Sequence, residues 1–131
     1  MLRGLLLWLL IMAIETVHGI LRAIFLVPRV GEELAGQIGW PVGLVIVFTI
    51  TLLLIRWTKL RTVRALLALG AVWAVLTFFF EVAIGLLRGF DVARILAEIN
   101  PLSGGLMVYT LAVMAIAPLA ASWFRSGQRS R

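Results

Sequence analysis

Residues 4–27 read GLLLWLLIMAIETVHGILRAIFLV, an apolar run that contains only three ionisable side chains, Glu15, His18 and Arg22. A run of about 18 or more apolar residues is long enough for a helix to cross a bilayer. Three further runs of this kind occupy residues 38–55, 65–87 and 104–124. The sequence therefore predicts an all-α membrane protein, a single four-helix transmembrane domain over residues 1–131.

The composition agrees with this class. Of 131 residues, 63% are hydrophobic and 14% are charged, whereas soluble domains have roughly 45–50% apolar and about 25% charged residues. The chain lacks cysteine, so disulfides and thiolate-held clusters are excluded. The first run is too long for a secretion signal and offers no small-residue cleavage site, so we expect it to stay attached.

The distribution of charge predicts the topology. The net charge is +6, but the basic residues cluster before the first span, between the second and third, and after the fourth: Arg3; Arg56, Lys59, Arg61 and Arg64; Arg125, Arg129 and Arg131. The acids outside the spans lie in the other two connections: Glu32 and Glu33; Asp91 and Glu98. By the positive-inside rule, both termini are expected to be cytoplasmic, in a cell inner membrane. The bilayer, not nucleic acid, is the expected partner.

A shift of 66 residues aligns EVAIGLLR at 81–88 with ETVHGILR at 15–22, so both share the pattern E-x-x-x-G-x-L-R. This indicates two tandem helical hairpins, residues 1–65 and 67–131, related by a pseudo-twofold axis along the membrane normal. Such an axis would place Glu15 and Glu81 at one depth, facing each other.

Small residues follow each glutamate at the spacing that lets helices approach closely in lipid. These are Gly19 and Ala23 after Glu15, and Gly85 and Gly89 after Glu81. We therefore expect both glutamates to be buried against protein. Gly39 and Gly43, also four residues apart, predict another close-packing surface at the start of the second span. An interfacial amphipathic helix is expected at residues 91–99 and a shorter one at 28–37.

Glu15 and Glu81 are the candidate site for a proton or cation, because two nearby carboxylates in low dielectric cannot both ionise easily. His18 lies one turn from Glu15 and joins this site. Arg22 and Arg88 are expected nearer the outer surface, at an entrance or in salt bridges. The alternative is that protonated glutamates only fix the helix register.

Metal and enzymatic sites are not expected. Glu15, His18 and Glu81 fall short of the usual set of metal ligands, so we expect neither metal nor cofactor. The sequence contains no phosphate-binding glycine loop, nucleophile elbow or catalytic triad set, which argues against an enzyme. A membrane enzyme or metal protein centred on those three residues is the weakest alternative.

In length, span number and the glutamate in its first span, the chain resembles the small multidrug resistance family of proton-coupled exporters. The second glutamate, in the third span, and the arginines at 22 and 88 depart from that family's plan. The sequence favours proton- or cation-linked transport or conduction of a small ion or solute, by a homodimer, because four helices alone enclose little volume. The alternative is an accessory or scaffold subunit of a larger membrane complex.

Overall fold

The computed structural model describes residues 1–103 and 105–129, and within them the regular elements are helices, without strands. Four helices in this described part are long and apolar enough to cross a membrane: Leu2–Val30, Glu32–Thr58, Val63–Leu87 and Met107–Arg125. The prediction of an all-helical chain with four such helices is confirmed. Gly104, the predicted start of the fourth span, and Arg131 lie outside the described residues.

The chain divides into two units, and the first comprises Met1–Leu60 and Ala121–Arg131. It begins with α1, Leu2–Leu21, continues through a π-helical turn, Arg22–Leu26, and ends its first span with α2, Val27–Val30. In the π turn the Val27 N–H donates to the carbonyl of Arg22, five residues earlier. Pro28 explains this turn, because its ring collides with the carbonyl four residues before it in a regular helix, and the wider turn relieves the clash.

A single residue connects the first two spans. Gly31 has φ +90°, a conformation open mainly to glycine, and the chain enters α3, Glu32–Leu54, directly after it. Glu32 and Glu33 occupy the first turn of α3, where negative charge complements the helix dipole. The expectation of a separate interfacial helix at residues 28–37 is therefore wrong, since Gly31 reverses the chain within one residue.

α1 and α3 pack along stripes of buried residues. On α3 every fourth residue is buried, and these residues are Ala35, Gly39, Gly43, Val47 and Thr51. On α1 the buried residues are Gly4, Leu7, Trp8, Ile11 and Met12. The Thr51 hydroxyl donates to the Val47 carbonyl at 2.7 Å, so this buried polar group is satisfied within its own helix.

The far end of this unit is held by arginines that donate to backbone carbonyls. A 3₁₀ turn, Ile55–Thr58, follows α3, and Arg3 Nη1 donates to the Trp57 carbonyl at 3.1 Å. Arg56 Nη2 donates to the carbonyl of Arg125 at 3.3 Å. Two of the arginines that the sequence predicts for the inner face thus also hydrogen-bond distant segments of the chain.

The second unit is Arg61–Ala120, and its first element is α4, Val63–Leu87. The Thr62 side chain caps α4 by accepting from the Ala65 N–H at 3.1 Å. At the other end Phe90 N–H donates to the Gly85 carbonyl and Gly89 N–H to that of Leu86. Gly89 has φ +82°, so the end is a Schellman motif with glycine in the left-handed conformation.

The remaining elements are α5, Val92–Ile99, a 3₁₀ turn, Pro101–Ser103, and α6, Met107–Arg129, whose last residues belong to the first unit. Asp91 Oδ1 caps α5 by accepting from the Arg94 N–H at 2.8 Å. A Cβ on Gly70 of α4 would overlap the carbonyl oxygen of Ala115 of α6. The backbones of α4 and α6 are therefore in direct contact at this crossing.

Positions that the 66-residue shift pairs lie in different local structures. Gly39 lies inside α3, whereas Gly105 precedes α6. The first two spans are joined by Gly31, whereas α5 and a 3₁₀ turn lie between α4 and α6. The duplication and its pseudo-twofold axis stay predictions, and two ancestral copies would have diverged most in these connections.

Candidate functional site

Glu15, His18 and Arg22 form a column on one face of the first span. Their spacings of three and four residues place them on successive turns of the same helix face. His18 Nδ1 lies 3.9 Å from Glu15 Oε2, and the two side chains are 21% and 23% exposed. Glu15 Oε1 is fully buried. An acid and an imidazole thus lie side by side within a membrane-length helix.

Two side chains of this column pack against glycines of α3. Gly39 and Gly43 are four residues apart, about 6 Å along the helix axis. A Cβ on Gly43 would lie 3.0 Å from Glu15 Oε2, and a Cβ on Gly39 would lie 2.7 Å from Arg22 Cδ. These glycines do form a close-packing surface, but they accommodate Glu15 of α1 and Arg22 of the π turn. A Cβ at either position would force the side chain that lies over it to shift.

The charges of this site come from the first span, from α1 and the π turn that follows it. Between Glu33 and the end of α3 at Leu54 there is no ionisable side chain. Near Gly31, Arg29 of α2 and Glu32 and Glu33 of α3 are ionisable, and all three are exposed. An ionised Glu15 and the Arg22 guanidinium are therefore opposite charges received by glycines on neighbouring turns of α3.

The residues of the second half have different surroundings. Glu81 is exposed on α4, and Arg88, directly after α4, is also exposed. The Arg88 guanidinium lies 4.7 Å from the centre of the Phe90 ring. The expectation that Glu81 is buried against protein is not met in the single chain. The 66-residue shift pairs Gly43 with Tyr109, so the second half lacks the glycine that receives the carboxylate in the first.

The small residues predicted to pack helices have three different roles. Gly19 has nothing within 4 Å of its Cβ position, and Ala23 is exposed. Gly89 ends α4, so it is not part of a helix face. Gly85 is buried, and its Cβ position lies 3.5 Å from Ile95 Cγ1 of α5. Gly85 therefore packs against α5, and the packing of Gly19 and Ala23 against another helix stays a prediction.

Sequence reasoning missed the π turn that begins at Arg22, for which Pro28 was the available signal. It also missed that Gly39 and Gly43 accommodate charged side chains, because α3 alone does not show what packs on it. Two depressions, of about 420 and 260 Å³, open at Val30–Gln37 and at Ala71–Leu76. Neither is lined by Glu15, His18 or Arg22.

The described residues contain no cluster of three or more His, Asp or Glu side chains placed to hold a metal ion. Glu15 and His18 could supply two ligands, fewer than the usual set. Their chemistry is better suited to accepting and passing a proton. Comparisons of the chain with protein-family models, with curated proteins and with solved structures give no match.

Proposed function

We propose that this protein couples proton or cation binding to the transport or conduction of a small ion or solute across a cell inner membrane. The observation that carries the proposal is the Glu15–His18 pair, 3.9 Å apart inside a membrane-length helix. Ionisable groups within spans are costly and usually serve ion pathways or proton relays. A carboxyl group beside an imidazole can exchange a proton near neutral pH.

Each site residue has a role in this proposal. Glu15 binds the proton or cation, His18 exchanges the proton with it, and Arg22 balances the charge of the ionised carboxylate. Glu81 is the second acid and Arg88 lies at the outer entrance. Because four helices alone enclose little volume, the active form is a homodimer, in which a second copy of the chain covers the exposed side chain of Glu81. Both termini are cytoplasmic.

The test is solid-supported membrane electrophysiology on proteoliposomes. A rapid pH change should give a capacitive current from proton binding in wild type and a much smaller one in Glu15→Gln, because glutamine cannot take up the proton and only His18 and Glu81 remain. Glu32→Gln, which changes an acid outside the site, should keep the current. Concentration jumps of sodium, potassium, guanidinium and a quaternary ammonium ion are then applied in turn. An ion that gives a sustained current is a transported substrate. Wild-type currents equal to those of empty liposomes in every arm would reject the proposal.

The second candidate is an accessory subunit of a membrane complex. It is favoured by the two depressions, neither of which reaches the Glu15 column. In that case Glu15 and Arg22 serve to hold α1 and α3 in register. Glu15→Gln would then weaken the association of the chain with co-purifying membrane subunits, and wild type would give no current.

A further inference from the structure

The segment that follows α4 exposes several large apolar side chains beside charged ones. Leu87, at the end of α4, is 83% exposed, and Leu102, after α5, is 95% exposed. On α5 itself, Val92 is 66% and Leu96 57% exposed. We call Leu87, Val92, Leu96 and Leu102 the apolar edge. Its exposure to water is unfavourable, because apolar side chains are stabilised by burial.

α5 has three distinct faces. Ile95 points to α4, since its Cγ1 lies 3.5 Å from the Cβ position of Gly85. Leu96 and Val92 lie on an adjacent, exposed face. Arg94 and Glu98 occupy the side opposite Leu96, as the helical period requires. A helix with one side on protein, one apolar side open and one polar side is suited to a membrane–water interface.

Two arginines meet at one aromatic ring beside this edge. The guanidinium carbon of Arg94 lies 3.7 Å from the centre of the Phe90 ring, and that of Arg88 lies 4.7 Å from it. The two guanidinium groups are therefore separated by no more than the sum of these distances. The half-buried ring restricts both long side chains through cation–π contacts. Two cations thus contact one aromatic ring near the end of a membrane-length helix.

We propose that Arg88, Phe90 and Arg94 form a binding site for the phosphate of a membrane phospholipid. Guanidinium groups bind phosphate oxygens through paired hydrogen bonds, and each offers five donors. The acyl chains of the same lipid would cover the apolar edge, which a free phosphate ion or a water-soluble phosphopeptide could not do. Asp91 already accepts from the backbone N–H of Arg94, so the site consists of side chains and not of the N-terminus of α5.

The site makes α5 an anchor at the interface, whether or not the protein transports anything. Arg88 and Arg94 lie at the depth of the lipid headgroups, and the side chains of the apolar edge lie among the acyl chains. Asp91 and Glu98 are exposed close by, and they would disfavour a second anionic ligand. One phospholipid for each chain is therefore expected.

Lipid binding is tested on purified protein by native mass spectrometry with dioleoyl-phosphatidylglycerol. Wild type should retain one lipid per chain at this site, and the Arg88→Gln/Arg94→Gln double variant should lose it or bind about tenfold more weakly, a change of about 1.4 kcal/mol. The control is Arg61→Gln/Arg64→Gln, which removes two exposed arginines at the opposite end of α4. Equal loss in both double variants, or displacement by inorganic phosphate, would overturn the lipid assignment.

A second measurement does not depend on the arginine variants folding well. Because the chain contains no cysteine, Leu96→Cys and Glu98→Cys can each carry one environment-sensitive nitrobenzoxadiazole label. In liposomes the label at 96 should emit as in an apolar medium and be quenched by lipids brominated on their acyl chains. The label at 98, on the polar side, should remain water-exposed. Water-like emission from both positions would refute the insertion of α5.

Discussion

The glycines at 39 and 43 explain how charged side chains are accommodated in the first span. An ionised residue at the centre of a span costs about 2.5–3.5 kcal/mol on insertion scales. Arg22 and Glu15 reduce their exposure by lying against the backbone of α3 where it has no side chains. Gly39 and Gly43 are one helical turn apart, so Arg22 and Glu15 lie against neighbouring turns of α3. Glycine is required here for space, because neither residue has a positive φ.

Gly39→Ala should force Arg22 to move, because the new Cβ would lie 2.7 Å from Arg22 Cδ. Overpacking of this kind costs about 1–3 kcal/mol, which we expect to lower the thermal unfolding midpoint in detergent micelles, followed by tryptophan fluorescence. Gly36→Ala is the control, since nothing lies within 4 Å of its Cβ position.

A double-mutant cycle tests whether the contact with Arg22 causes the loss of stability in Gly39→Ala. If the clash with Arg22 is responsible, Gly39→Ala should cost much less in an Arg22→Ala background, with a coupling of about 0.5–3 kcal/mol. An equal cost in both backgrounds would show that Arg22 does not lie over Gly39.

Small residues allow close contacts between neighbouring helices, two on α3 at Gly39 and Gly43 and one on α4 at Gly70. In lipid, helices associate through packing and not through the hydrophobic effect, so backbone approach contributes much of their affinity. The crossing of α4 and α6 has this property at Gly70, where the Ala115 carbonyl occupies the space of a side chain. The π turn at Arg22 has a different role, because it lets the first span continue through Pro28.

Gly70→Ala should be more damaging than Gly39→Ala. The atom in its way belongs to the backbone of Ala115, which cannot rotate aside as an arginine side chain can. We expect a loss of at least about 3 kcal/mol, the upper end for overpacking, measured as the shift in the denaturation midpoint in mixed micelles. The same Gly36→Ala variant is the reference. A midpoint unchanged from that of the reference would mean that α4 and α6 do not cross at Gly70.

At the scale of the whole molecule, the arrangement of charges predicts orientation. Basic residues follow α3 and precede α4, whereas two acids begin α3, Asp91 precedes α5 and Glu98 lies within α5. Arg3 and Arg56 donate to backbone carbonyls, which are neutral, so both arginines keep their positive charge. They therefore still count under the positive-inside rule. Four spans with both termini on one side require the connections at Gly31 and α5 to share the other side.

Reporter fusions in a bacterial host test this orientation. Green fluorescent protein fused after Arg131 should fluoresce, because it folds in the cytoplasm. Alkaline phosphatase fused after Asn100 should be active, because that connection is expected on the outer side. The exchanged fusions serve as controls and should be dark and inactive. An active phosphatase after Arg131 would place the C-terminus outside and contradict the charge argument.

The class of the protein was predictable because span length and apolar content are local properties that a window of sequence already contains. The column of Glu15, His18 and Arg22 was also predictable, since the helical period places them on one face. The helix boundary at Gly31 was not predictable from the sequence, because glycine permits a tight turn without requiring one. The exposure of Glu81 was not predictable either, as it depends on which residues of other helices lie opposite.

Composition and the fixed helical period were therefore enough to predict the helices, their apolar character and the face on which the charged residues lie. Three sets of contacts became visible only in the packed fold: Glu15 and Arg22 against Gly43 and Gly39, Gly70 against Ala115, and Arg88 and Arg94 at Phe90. Such contacts depend on the register between packed segments. That register is set by side-chain volumes on both partners together and is not contained in either helix alone.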